Sequence, residues 1–129
     1  LKLASIDVGL KRIGVAICLA SNIVTPQNAI LRKNRDQAAR DVNAFLKEWE
    51  IEKLIVGFPS ASEDMQKRIK HFVGLLELKI PFEFQEENMS SIEAEDLMKG
   101  EIKYKRDGRV DSLAAKIILE RFLAKKPSL

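Results

Sequence analysis

The chain has 129 residues, of which 46% are hydrophobic and 32% charged, with a formal net charge of +3; that length supports one compact domain around one core, and the mild basic excess favours a polyanionic partner without specifying it. No apolar run approaches the roughly 20 residues that span a bilayer, and residues 1–8 lead directly into a strand pattern rather than a secretory signal, so a cytoplasmic protein with no membrane association is expected. The single cysteine, Cys18, excludes an intramolecular disulfide, and with a single histidine, His71, a zinc site rich in sulfur and nitrogen is excluded too.

Residues 3–8 form a short apolar run, residues 9–12 interrupt it, and residues 13–19 resume it with valine and isoleucine. The pattern predicts a hairpin, with Cys18 as a small buried hydrophobe. Residues 21–26 have turn chemistry, and residues 28–31 predict a third strand. Asn34 or Asp36 opens the first helix, in which Ala38, Val42, Phe45 and Trp49 recur at helical spacing and Leu46 widens the stripe. Residues 53–58 are nearly continuously apolar, as in a strand covered on both faces. Ser60 and Ser62 are both candidate N-caps for the second helix, Ser60 having capping-box spacing to Glu63. Met65, Ile69, Phe72, Val73 and Leu76 form that helix's apolar face, which leaves His71 on the polar side. Residues 82–85 predict a fifth strand after Pro81. Ser90 with Glu93 opens a helix through Met98 that Gly100 closes, residues 101–108 form a polar basic loop, and residues 109–123 predict a last helix. Three early strands fit an antiparallel meander, and the strand–helix–strand units that follow require parallel crossovers. The expected fold is α/β: a mixed five-stranded sheet with helices on both faces.

In such sheets, ligand sites gather at the carboxyl ends of the parallel strands. Asp7 stands near the end of the first strand, Glu86 and Glu87 close the last, and Asp111 lies at the start of the final helix. Taken singly, Asp111 fits a complement to the helix dipole, and Glu86 and Glu87 fit solvated strand-end charges. Asp7 differs, because a carboxylate inside a buried apolar run is costly unless paired or bound to a cation. Converging carboxylates repel unless a cation neutralises them, and hard oxygen ligands favour Mg²⁺ or Mn²⁺. Two such ions can clamp the attacking and leaving oxygens of a phosphate. The turn Gly9-Leu10-Lys11-Arg12-Ile13-Gly14 places Lys11 and Arg12 beside Asp7, where glycines allow close approach by a phosphate. Lys103, Tyr104, Lys105, Arg106 and Arg109 combine positive charge with an aromatic, which suits backbone contact and base stacking. The alternative for each basic segment is an ordinary solvated loop.

The segment Ile6-Asp7-Val8-Gly9-Leu10-Lys11-Arg12-Ile13-Gly14-Val15-Ala16 resembles the opening motif of the YqgF/RuvX family, small RNase H-like proteins regarded as candidate pre-16S rRNA nucleases and as Holliday junction resolvase-like. Ile55-Val56-Gly57-Phe58-Pro59 resembles the family's strand ending in Gly-x-Pro. Glu86-Glu87-Asn88-Met89-Ser90-Ser91-Ile92-Glu93-Ala94-Glu95 resembles its Asp-Glu-Arg-Leu-(Ser/Thr)-(Ser/Thr)-Val-Glu-Ala-Glu block, and Val110-Asp111-Ser112-Leu113-Ala114-Ala115 its Ile-Asp-Ser-Leu-Ala-Ala block. Four ordered motifs span essentially the whole chain. The resemblance implies a single RNase H-like nuclease domain over residues 1–129 and a catalytic, metal-binding site of Asp7, Glu87 and Asp111, with Glu86 as a fourth metal-binding acid. Two departures bear on substrate preference: Asn88 stands where the family has Arg, and residues 60–65 lack its longer glycine-containing insertion.

The leading expectation is a Mg²⁺- or Mn²⁺-dependent nuclease with a two-metal site, acting on structured RNA at the 5′ end of pre-16S rRNA. Its alternatives are a resolvase of branched DNA and a non-catalytic nucleic-acid-binding module in ribosome assembly. A nucleotide-binding phosphotransferase is a further alternative, since Asp-x-Gly before a basic hairpin also resembles the first phosphate loop of the actin and sugar-kinase superfamily. That site lies between two domains, and 129 residues hold one. Oligomeric state stays open.

Overall fold

Alternating strand segments and amphipathic helices assemble, in the computed structural model, around one five-stranded sheet. The structure describes residues 1–20, 22–86 and 112–125. In chain order the elements are β1 (Leu3–Val8), β2 (Arg12–Cys18), β3 (Thr25–Leu31), α1 (Arg35–Glu48), β4 (Lys53–Phe58), α2 (Glu63–Leu76), β5 (Phe82–Glu86) and α3 (Leu113–Lys125). The strand order is β3-β2-β1-β4-β5. β1, β2 and β3 pair antiparallel, and β4 pairs parallel with both β1 and β5. This is the mixed sheet expected, with the carboxyl ends of β1, β4 and β5 along one edge. Among the described residues no helix is long and apolar enough to cross a membrane.

The sheet is covered on both sides. Ala4, Ile6 and Val8 of β1, Ile13, Val15 and Ile17 of β2, and Leu54 and Val56 of β4 face α1 and α2, meeting Val42, Leu46, Ile69, Phe72 and Leu76. Leu3, Ala16, Cys18 and Ile55 face α3 and meet Ala115, Ile118, Leu119 and Phe122. Strands buried on both faces read as unbroken apolar runs, which is why β1 and β4 are so plain in the sequence. Phe72 and Phe122 anchor the two halves of the core, each 1% exposed; truncating either to Ala would cost about 3–5 kcal/mol.

Local signals account for most element ends. Asn34 caps α1: its side chain accepts from the Gln37 amide at 2.8 Å, and Gln37 Oε1 accepts from the Asn34 amide at 3.3 Å. This reciprocal pair satisfies two of the helix's orphan donors. Of the two serines before α2, Ser62 is the cap, accepting from the Met65 amide at 3.3 Å. The Ser60–Glu63 spacing is therefore not the capping pair, because Glu63 is already the first residue of the helix. Trp49 is the C-cap of α1, and its side chain, like that of Phe45, packs against the core as the stripe predicts. β3 starts at Thr25, three residues earlier than the sequence pattern predicts, and includes Pro26. An edge strand tolerates proline because one row of its backbone groups has no sheet partner. β5 runs one residue further than expected, to Glu86. The predicted helix beginning at Ser90, the basic loop 101–108 and the first residues of the predicted last helix lie outside the described residues.

Candidate active site

Asp7 is the fifth residue of β1 and half-buried. Strand alternation places its side chain with those of Leu3 and Ser5, on the face that α3 covers. Its antiparallel neighbour on β2 is Gly14. On the other side, the β1–β4 ladder ends at Ile6 opposite Val56, so one further step brings Asp7 beside Gly57, and Gly57 pairs with Gln85. Across this face at the carboxyl edge, the row is Gly14, Asp7, Gly57, Gln85. The two glycines, both buried, mean that β2 and β4 themselves put no side chain beside the carboxylate at this edge.

α3 is tied to this edge by two buried hydroxyls. Ser5 Oγ, two residues before Asp7, donates to the Ala115 carbonyl at 2.6 Å. Ser112 Oγ accepts from the Val15 amide at 3.0 Å, one residue from Gly14. The β2–β3 register shifts between Ile13 and Val15, and there the Val15 N–H turns to Ser112. A bulge of this kind re-aims backbone groups next to functional sites. Both serines are completely buried, so neither bond competes with water. Asp111 itself lies outside the described residues. It is covalently joined to Ser112, which is fixed beside the strand pair that carries Asp7.

The turn after β1 has its own supports. The Gly9 amide donates to the Arg12 carbonyl at 3.0 Å, and the Arg32 amide donates to the Lys11 carbonyl at 2.9 Å. Arg32 Nη1 donates to the Gly9 carbonyl at 2.9 Å while its guanidinium lies 5.4 Å from the centre of the Phe72 ring. A Cβ on Gly9 would fall 2.5 Å from the Arg12 carbonyl oxygen. Glycine is required there for lack of space rather than for an unusual backbone angle, since no described glycine has positive φ. Leu10, Lys11 and Arg12 are exposed at the tip, so the basic pair is presented to solvent on a braced turn.

Glu86 ends β5 opposite Phe58 and is exposed. Alternation gives it the face of Phe82 and Phe84, which is the α1–α2 side, whereas Gln85 has the α3 side. Glu86 and Asp7 therefore belong to opposite faces of the sheet. Glu87, Lys103, Tyr104, Lys105, Arg106 and Arg109 lie, like Asp111, outside the described residues. Among the described residues no group of three or more His, Cys, Asp or Glu is placed to hold a metal ion. The residues that sequence patterns missed are Ser5, Arg32, Gln85 and Ser112. A hydroxyl inside the apolar run of β1 was the one available signal for Ser5; the others depend on register and packing. His71 is exposed, as its helical position predicts, and Cys18 is buried. Burial pushes the Cys18 thiol up, against a smaller opposing effect of a backbone hydrogen bond from Asn22. The described concavities bounded by Leu46, Ile51, Leu76, Leu78 and Ile80 and by Val73, Phe82 and Phe84 open at the amino-terminal edge of the parallel strands, away from Asp7.

Comparison with known families decides the kinship of the chain. Residues 1–125 match the RuvX family model, described as Holliday junction resolvase. The chain belongs to the RuvX family. A curated relative from Sulfurovum sp. (strain NBC37-1), named as a candidate pre-16S rRNA nuclease, is 64% identical over 127 residues, covering 96% of this chain and 99% of the relative. Among solved structures, the fowlpox virus Holliday junction resolvase is similar with a TM-score of 0.60 at 16% identity, covering 97% of this chain and 98% of that one. RuvC from Thermus thermophilus follows with a TM-score of 0.52 at 10% identity, covering 96% and 95%. At such identities the likeness is one of fold: this RuvX-family chain has the RNase H-like architecture.

Proposed function

We propose that this RuvX-family chain is a divalent-metal-dependent nuclease that hydrolyses phosphodiester bonds at the 5′ end of pre-16S rRNA. The observation that carries the reading is the row Gly14–Asp7–Gly57–Gln85 at the carboxyl edge of the sheet, with Ser112 holding the start of α3 beside it. A carboxylate flanked by glycines at the carboxyl edge of an α/β sheet suits a cation that must also admit a phosphate. The names of the curated relatives support the RNA substrate.

Asp7, Glu87 and Asp111 hold the metal in this reading. Glu87 is preferred to Glu86 because Glu86 has the opposite face from Asp7. The donor set is oxygen alone, which fits Mg²⁺ or Mn²⁺. When bound, the ion supplies charge neutralisation at the phosphate and lowers the pKa of a water that attacks it. The chain's own contribution is placement. Ser5 and Ser112 fix α3 against β1 and β2, and Arg32 stiffens the turn after Asp7. Lys11 and Arg12 on that turn, with Lys103, Tyr104, Lys105, Arg106 and Arg109, hold the nucleic-acid backbone and stack on its bases.

A second reading, cleavage of branched DNA, is favoured by the description of the family model. One experiment serves both: incubate a structured pre-16S 5′ leader RNA and a four-way DNA junction with the protein and Mg²⁺ or Mn²⁺. Wild type is expected to cut the RNA, and Asp7→Asn to lose roughly 3 kcal/mol of transition-state stabilisation, about a hundredfold in rate. Preferential cutting of the junction would favour the second reading. Equal trace activity in wild type and Asp7→Asn would overturn both, and metal-independent RNA binding would then point to an assembly module.

A further inference from the structure

Positive charge gathers at one corner of the carboxyl edge. β1 and β3 both pair antiparallel with β2, so they run in the same direction. The end of β3 and the turn into α1 therefore lie at the same edge as Asp7. Arg12 pairs with Leu31 across the β2–β3 ladder, the Arg32 amide donates to the Lys11 carbonyl at 2.9 Å, and Arg32 Nη1 donates to the Gly9 carbonyl at 2.9 Å. Residues 9–12 and 31–35 are thus one joined surface, which holds Lys11, Arg12, Arg32, Lys33 and Arg35 and no acidic residue. Lys11, Arg12, Lys33 and Arg35 are exposed. Among the described residues no ion pair takes the side chains of Lys11, Lys33 or Arg35. Asp36, the next residue, is exposed in the first turn of α1, where it complements the helix dipole.

Like charges repel, and on a slack loop they would spread apart. Gln37 prevents this. Its Oε1 accepts from the Lys33 amide at 2.8 Å and from the Asn34 amide at 3.3 Å, and its Nε2 donates to the Leu31 carbonyl at 2.8 Å and to Asp41 Oδ2 at 2.6 Å. One side chain pins the backbone between β3 and α1, so Lys33 and Arg35 project from fixed positions. Fixed cations without counter-charges suit a polyanion, because each phosphate they neutralise releases counterions and the backbone is ordered before the ligand arrives. β3 stands two strands from β1, roughly 9.6 Å at the usual strand spacing. That is too far for the phosphate cut beside Asp7, and it suits phosphates further along the same backbone. We infer that Lys33 and Arg35 form a second phosphate-binding subsite, continuous with Lys11 and Arg12, that holds the RNA backbone beyond the β3 side of the cleavage site. The bond that is cut then has nucleotides on that side, and an RNA ending at that bond is a poor substrate. The inference rests on the RNA-nuclease reading given above.

The test is fluorescence anisotropy of the full chain with a labelled pre-16S 5′ leader RNA, in EDTA and across a salt series, so that binding is read without cleavage. The double variant Lys33→Gln/Arg35→Gln is expected to bind about tenfold more weakly at about 0.1 M salt and to flatten the salt slope by about two units. Its Tm should match wild type, since both side chains are exposed. Lys33→Arg/Arg35→Lys keeps both charges and should keep the wild-type slope. Lys47→Gln/Lys79→Gln removes the same charge at the amino-terminal edge of the parallel strands and should leave the slope unchanged. A Lys33→Gln/Arg35→Gln protein with the wild-type slope overturns the subsite, as does an equal loss in Lys47→Gln/Lys79→Gln, which would show an effect of net charge alone. If wild type with Mg²⁺ still cuts the RNA in that case, the nuclease reading stands and the subsite alone fails. A flattened slope in a protein that cuts no RNA would keep the subsite and sink the nuclease reading. Wild type that neither binds nor cuts the RNA would sink both.

Discussion

Arg32 Nη1 donates to the Gly9 carbonyl at 2.9 Å, joining the start of the β1–β2 turn to a residue just beyond β3. The same guanidinium stacks on Phe72, which is buried in the core between α2 and the sheet. The turn that follows Asp7 is thus braced from the core, although its tip is exposed. Replacing Arg32 with Met keeps the aliphatic stem and removes the donor. A charge-assisted bond of this kind contributes about 1.5–3 kcal/mol, so urea unfolding should show a loss of about 2 kcal/mol, with weaker nucleic-acid binding as the turn loosens. An unchanged midpoint would mean that the backbone bonds of the turn suffice without Arg32.

Ser112 gives a sharper stability test than Ser5. Ser112→Ala leaves the buried Val15 N–H without an acceptor, which costs about 1–3 kcal/mol. Ser5→Ala removes only the hydroxyl, and the Ala115 carbonyl that it bonds remains in the helix, so a loss of about 1 kcal/mol is expected. Thermal unfolding of the two variants should rank them in that order. Because Ser112 adjoins Asp111, Ser112→Ala should also weaken Mg²⁺ binding more than Ser5→Ala does.

Lys11 and Arg12 should reveal themselves through salt. If they contact phosphates, the logarithm of the binding constant for RNA falls linearly with the logarithm of salt concentration, and each neutralised contact contributes a slope near one. Lys11→Ala and Arg12→Ala should each flatten that slope by about one unit, with little effect on Mg²⁺ affinity. Unchanged slopes would reduce this exposed pair to a solvated hairpin tip.

Cys18 predicts a dependence on alkaline pH. Its thiol is raised from the ordinary value of 9.0 by burial. Below that value both folded and unfolded chains hold the proton, and the stabilisation is fully present. Above it the unfolded thiol releases its proton while the buried one keeps it, so the unfolded state binds fewer protons and stability falls as pH rises. Wild type should therefore lose Tm more steeply above pH 9.0 than Cys18→Ala, and native Cys18 should resist alkylation where unfolded protein reacts quickly. Equal slopes would show that Cys18 is not the group responsible.

What the amino-acid sequence determined by itself is what depends on near neighbours. The continuous apolar run of β4, the start of α1 at Asn34 or Asp36 and the i, i+3, i+4 face of α2 are local patterns, because helix and strand periods repeat within a few residues. Asp7 was legible for the same reason: a lone carboxylate in an apolar strand is anomalous without any knowledge of its surroundings. Tertiary structure decided what depends on register between distant segments. Pro26 entered β3 because that strand lies at a sheet edge, and strand order is a long-range property. The opposition of Glu86 to Asp7 follows from the β1–β4–β5 ladder, where a shift of one residue would exchange the faces. Gln85 reads as an ordinary polar residue until that ladder places it across Gly57 from Asp7, with a buried oxygen that no described residue satisfies.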